Sequence, residues 1–200
     1  MHFCEARLAE HGDNYLGVGW TKRPDDADLR YQVMLDVVRE RPEGRVTLLD
    51  FGSGAGHLYD YMLRTGVSDL HYSGLDISPR FLDLARSKHP DVTFHHLDVA
   101  AGDELPEFDY IVMNGVFTMK CELSFDEMLE YFKILVARVF ARARVGLAFN
   151  VMSKEVEWER DDLFHLPLDV LSHFLAENLS RRFVIRHDYP LYEYTAYVYH

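Results

Sequence analysis

Cysteine is almost missing from this chain: Cys4 and Cys121 are the two among 200 residues, far apart and without Cys-x-x-Cys spacing. Neither a disulfide framework nor a structural zinc site is suggested, no metal ligands are expected, and a reducing cytoplasm is the expected location. Positive charge is also scarce. Lys and Arg total 21 against 33 for Asp and Glu, a formal charge of -12. Nucleic-acid phosphates and anionic membrane surfaces would be repelled overall, so we expect a small-molecule substrate. Long apolar runs are missing as well, because the richest stretch, Ile134 to Val151, carries Arg138, Arg142 and Arg144. It cannot cross a bilayer as an uninterrupted apolar helix. Met1 to Arg7 lack the basic-then-apolar order of a signal peptide, and no export is expected.

What the chain does have is an ordinary globular balance, 48% hydrophobic and 27% charged residues. That balance suits one domain with its own core. No repeat, low-complexity tract or linker interrupts it, so residues 1–200 read as one domain in which 1–45 form an N-terminal helical lid segment. Monomer and homodimer both remain open.

From Val46 onward short apolar runs alternate with helical periodicity, which predicts an α/β fold with a mostly parallel sheet. Val46 to Phe51 predicts a strand, followed by a glycine-rich turn and a helix carrying Leu58 and Met62. Leu70 to Leu75 predicts a second strand ending at Asp76, after which Ser78 caps a helix opened by Pro79. Val92 to His96 and Phe108 to Met113 predict the third and fourth strands. Ser124 and Glu127 form a capping-box pattern ahead of a long amphipathic helix, and Val145 to Val151 is the fifth strand. Pro167 opens a helix to about Leu179. Phe183 to His187 and Tyr192 to Tyr199 then flank a proline turn and are placed to pair antiparallel. Alternation puts Tyr192, Tyr194, Ala196 and Val198 on one face of the last strand and Glu193, Thr195 and Tyr197 on the other.

The most specific feature is Asp50-Phe51-Gly52-Ser53-Gly54-Ala55-Gly56, where a strand gives way to a helix. Glycine at these places lets a ligand approach the backbone at the carboxyl end of a strand, where open α/β sheets bind ligands. Asp76, 20 residues after Gly56, is the expected carboxylate for two ribose hydroxyls. A nucleoside cofactor follows. A dinucleotide fingerprint would need glycine at position 57, and His57 breaks it, which disfavours a nicotinamide enzyme.

Asp-x-Gly-x-Gly-x-Gly with Asp76, then Leu97-Asp98-Val99 and Phe108 to Gly115, resembles the class I S-adenosylmethionine-dependent methyltransferases, in particular their small stand-alone bacterial members. The resemblance covers about Thr47 to Val151. It implies a seven-stranded Rossmann-like sandwich closed by a C-terminal antiparallel hairpin strand, and S-adenosylmethionine as cofactor, leaving S-adenosylhomocysteine as product. Gly52, Gly54 and Gly56 would line the methionine and ribose part, with Asp50 meeting the amino group. Asp76 would hold the ribose diol. Ile77 and Val99 would sandwich the adenine, with Asp98 accepting from its amine. Asn114 and Gly115 would lie beside the reactive methyl, shaped by Phe117. Tyr15, Trp20 and Arg30 would be lid contacts, Arg30 with its fork toward the cofactor carboxylate.

For the reaction itself, a sulfonium methyl donor needs alignment and exclusion of water more than a protein nucleophile. A hydroxyl acceptor profits from a general base, whereas a carboxylate needs none. The base candidates are His187 and Asp188, then Glu193, Tyr192 and His165. The expected activity is methyl transfer to an oxygen of a small molecule, a glycan or secondary-metabolite intermediate. The alternative is a binding or scaffold protein that keeps the pocket without turnover.

Overall fold

The computed structural model describes residues 2–14, 17, 24–39 and 44–200. Tyr15 and Trp20 lie outside the described residues. Two helices, α1 (His2–His11) and α2 (Pro24–Leu35), precede β1 (Val46–Phe51). Then come α3 (His57–Thr65), β2 (Leu70–Asp76), α4 (Pro79–Lys88), β3 (Thr93–His96), β4 (Phe108–Met113), α5 (Phe125–Phe140) and β5 (Ala143–Ser153). The chain finishes with β6 (His165–Leu166), α6 (Leu168–Asn178), β7 (Phe183–Arg186) and β8 (Glu193–Tyr199).

The sheet runs β3-β2-β1-β4-β5-β8-β7, with the two-residue β6 added beside β5. Pairing is parallel from β3 through β5, while β8 is antiparallel to both β5 and β7. The expected reversed hairpin is therefore present. Its register sets Asn150 opposite Thr195 and Met152 opposite Glu193. β6, too short for a periodic signal, and α1 were not anticipated.

Both faces of the sheet are covered, which is why β4 is buried at every position and reads as an apolar run interrupted only by Asp109, which is paired with Arg144. One face carries Leu49, Ile111, Phe149 and Val198 and packs against α5 and α6 through Phe132, Leu135, Leu171 and Leu175. The other carries Leu48, Val112, Ala148 and Tyr197 and packs against α2, α3 and α4. The helix ends follow local chemistry. Ser124 and Glu127 make the reciprocal capping box of α5, and the Ser78 hydroxyl accepts from Phe81 N ahead of Pro79 in α4.

The segment expected to act as a lid is divided. α2 belongs to the core: Val33 and Met34 are buried, and the Tyr197 and Tyr199 hydroxyls donate to the carbonyls of Val33 and Val37. α1 lies instead near the carboxyl end of the sheet, where Glu5 accepts from the Ser78 hydroxyl at 2.7 Å. Among the described residues no helix is long and apolar enough to cross a membrane.

Candidate cofactor and methyl-transfer cleft

At the carboxyl ends of β1, β2 and β4 lies a cleft of about 450 Å³. Parallel strands β1 and β4 diverge there toward loops on opposite sides, as open α/β sheets do at their ligand sites. Asp50, Gly52, Gly54, Asp76, Ile77, Asp98, Val99, Asn114 and Gly115 all line it. Residues up to 65 positions apart in the chain thus converge on one concavity.

The glycine loop is tied to β2. Gly52 N and Ser53 N donate to Leu75 O at 2.7 and 2.9 Å. Gly54 N donates to Asp76 Oδ2 at 2.9 Å, and Ser78 N to Asp76 Oδ1 at 2.8 Å. One carboxylate therefore holds two loops, and each oxygen retains accepting capacity toward the cleft. Burial raises the Asp76 pKa, opposed by the backbone donors of Ser78, Gly54 and Ile77. Gly52 has φ +81°, and a Cβ there would come within 2.9 Å of Val116 Cγ2. The loop can pass so close to the β4 end only without a side chain.

Asp50, 4% exposed, accepts from the Tyr72 hydroxyl at 2.8 Å. Burial pushes its carboxyl up to about 7; the Tyr72 hydrogen bond lowers it, and nearby Asp76 adds to the rise. An acid poised in this way favours a cation beside it. The described residues thus fit S-adenosylmethionine in three respects: a carboxyl for its cationic end, a carboxylate for a diol, and the half-exposed Ile77 with the buried Val99 for a flat base.

Several expected contacts lie elsewhere. Gly56 is absent from the lining; with φ +78° it lets α3 approach α4, since a Cβ would meet the His89 ring at 3.3 Å. Phe117 is fully buried, its ring 4.8 Å from Phe132, and shapes the core beneath the rim. Arg30 does not reach the cleft: its guanidinium is paired with Glu193 at 2.9 Å. His187 and Asp188 are exposed beyond the end of β7, outside the lining, and Asp188 is paired with Arg186. His165 is buried, with Nδ1 2.6 Å from Ser153 O and Nε2 accepting from Arg160 N at 3.3 Å, so both ring nitrogens serve structure. Tyr192 is exposed in the β7–β8 turn, and Glu193 is buried in the pair with Arg30.

Sequence reasoning missed Arg7, Tyr31, Thr118, Met119, Tyr131 and Arg160, all of which line the cleft. Arg160 arrives because the 160–164 segment docks on 118–121: Phe164 N donates to Thr118 O, and Lys120 N to Asp162 O. No local pattern encodes that contact. Arg7 arrives on α1, whose far end is held by Asp13 against His57 at 2.6 Å and Lys88 at 3.0 Å.

Comparisons with known proteins agree with this geometry. Residues 49–137 match a family described as a methyltransferase domain. A Mycobacterium tuberculosis protein named as a methyltransferase is 28% identical over 151 residues, covering 74% of this chain and 90% of that one. Among solved structures, the N-methyltransferase NodS from Bradyrhizobium japonicum WM9, bound to S-adenosylhomocysteine, superposes with a TM-score of 0.66 at 14% identity, over 99% of this chain and 96% of NodS. Magnesium protoporphyrin IX methyltransferase from Synechocystis PCC 6803, also with S-adenosylhomocysteine, gives 0.65 at 15% identity, over 97% and 93%. These two share the fold. Residues 49–137 are thus similar to a methyltransferase domain, and the chain as a whole has the fold of class I S-adenosylmethionine-dependent methyltransferases.

Proposed function

We propose that the enzyme transfers a methyl group to a carboxylate oxygen of a small molecule, such as a glycan or secondary-metabolite intermediate. The observation that carries this reading is the composition of the cleft beyond Asn114 and Gly115. Val116, Thr118, Met119 and Arg160 join Asn114 and Gly115 in the lining; Arg160 is paired with Asp162, the one histidine among the described lining residues, His57, is paired with Asp13, and the lining carboxyl groups Asp50, Asp76 and Asp98 are those the cofactor would take. A hydroxyl acceptor would need a base to take its proton; a carboxylate arrives ionised and needs none.

The cofactor, when bound, supplies an activated methyl for in-line displacement. The chain's own residues bind, orient and exclude water. Asp76 would accept from the ribose hydroxyls, Asp50 would face the cationic amino acid end, Ile77 and Val99 would enclose the adenine, and Asp98 would accept from its amine. The Asp98 carboxylate also accepts from Ala101 N at 2.9 Å, which fixes its loop. Gly52 and Gly54 let this occur without side-chain interference. α1, held by Glu5 and Asp13, would act as the lid over the cleft, within a single domain.

The relatives act on different atoms: NodS is an N-methyltransferase, and another solved neighbour is a carbon methyltransferase. The acceptor atom therefore needs its own test. Protein, methyl-labelled S-adenosylmethionine and a panel of small carboxylic acids and sugars are incubated, and the product is treated with mild alkali. A methyl ester releases labelled methanol. Label that resists alkali would mean an ether, an amine or a carbon-bound methyl and would overturn the carboxylate reading.

A further inference from the structure

A chain of buried polar groups leads from α2 across two strands to the rim of the cleft. Arg30 Nε lies 2.9 Å from both oxygens of Glu193, and Nη2 lies 2.9 Å from Oε2. Glu193 Oε1 also accepts from Asn150 Nδ2 at 2.8 Å. Asn150 Nδ2 reaches Asn114 Oδ1 at 3.2 Å, and Asn150 Oδ1 accepts from Gly115 N at 2.7 Å. Arg30, Glu193 and Asn150 are 7%, 3% and 1% exposed. Asn114 and Gly115, where the chain ends, line the cleft.

The partners determine which way Asn150 points. Glu193 can only accept, and the Gly115 amide can only donate. The Asn150 amide must therefore turn its NH₂ to Glu193 and its oxygen to Gly115. Reversal would set two acceptors face to face at one end and two donors at the other. The charge on Glu193 thus fixes an amide, and the amide fixes the backbone at Gly115, whose φ is +78°.

Such an arrangement is a costly way to gain stability. Removing two charges from water sacrifices hydration that their attraction repays only in part, and apolar residues of similar size often do as well or better. Position is what the network supplies.

We propose that Glu193 and Asn150 are positioning residues for methyl transfer: through the Arg30–Glu193–Asn150 chain they hold the Asn114–Gly115 rim where cofactor and acceptor meet. This rests on the reading that the rim borders the transferred methyl. Glu193 acts through Asn150, and neither group takes a proton.

Two variants separate positioning from stability. Arg30→Met with Glu193→Met removes both charges together and so leaves no buried ion unpaired. Asn150→Ala keeps the ion pair and removes only its link to Gly115. Both are compared with wild type by thermal melting, by the ¹⁵N–¹H resonance of Gly115 in the ligand-free protein, and by titration with S-adenosylhomocysteine. The expected result is a double variant that melts near wild type, a displaced Gly115 resonance in both variants, and binding about tenfold weaker in each, as loss of one buried hydrogen bond predicts. The combination of all three substitutions should add little, because they break one chain.

An unmoved Gly115 resonance in Asn150→Ala overturns the proposal, as does unchanged affinity. If the double variant fails to fold, Asn150→Ala alone decides. If wild type itself does not bind S-adenosylhomocysteine, the cofactor reading of the cleft fails; the Gly115 resonance, read without ligand, still judges the network.

Discussion

The two halves of the cleft are built differently. On the β1–β2 side, the contacts that shape the site join residues about one βα unit apart: Asp76 reaches Gly54 across 22 positions and Ser78 across two, and Tyr72 reaches Asp50 across 22. On the β4–β5–β8 side, Gly115 is held by Asn150 across 35 positions, Asn150 by Glu193 across 43, and Glu193 by Arg30 across 163. The first half presents carboxyl groups to the cleft from strand ends, Asp50 near the end of β1 and Asp76 at the end of β2. The second presents mainly backbone and apolar groups, kept in place by polar side chains buried behind them. One half is suited to binding a constant cofactor by direct contact, the other to holding a surface against a variable partner.

Asp76→Ala should sharpen that contrast most. It removes the acceptor for two ribose hydroxyls and also frees Gly54 N and Ser78 N. Charge-assisted hydrogen bonds contribute roughly 1.5–3 kcal/mol each, so affinity for S-adenosylhomocysteine should fall about 100-fold or more. Calorimetry would show it. Affinity within a few-fold of wild type would mean that the direct-contact half does not work by direct contact.

A second test uses pH. The Asp50 carboxyl is raised from 3.8 to about 7 in the fold. Between those values the folded protein holds a proton that the unfolded chain has released, so the carboxyl's contribution to stability is greatest below 3.8 and declines as pH rises toward 7. A cationic ligand reverses the balance by favouring the ionised form. Affinity should then rise with pH by up to about tenfold per unit below 7 and level off above it, with proton uptake by buffer on binding at pH 6. Binding heats that do not depend on buffer ionisation at pH 6 would remove Asp50 from the cationic end. Asp50→Asn should abolish the effect.

The smallest effect is expected outside both halves. His187→Gln alters an exposed side chain beyond the cleft. Affinity for S-adenosylhomocysteine and turnover should stay within about twofold, the ordinary range for surface changes. A selective loss of turnover would restore His187 as a base and contradict the carboxylate reading.

The same comparison explains what could be read from the sequence. The strand, glycine-loop and helix pattern from Val46 to Lys88 is local, and it brings Asp50, Gly52, Gly54 and Asp76 to the lining of one cleft. The alternation in β8 also placed Glu193 on the face opposite Tyr194. What alternation does not encode is that Glu193 meets Arg30 from a helix that the lid reading set over the cleft. An arginine fork fits a side-chain carboxylate as readily as a ligand's, and only the packing of α2 on β8 decides between them. Gly56 shows the converse: its spacing fits the motif, yet the contact that requires glycine is with His89.

The most direct test of the account is titration of the purified wild-type protein, freed of carried-over cofactor, with S-adenosylhomocysteine in two buffers of different ionisation enthalpy at pH 6. Micromolar binding with proton release from the protein is the predicted result. Absence of binding by cofactor-free, folded protein would contradict the assignment of the cleft.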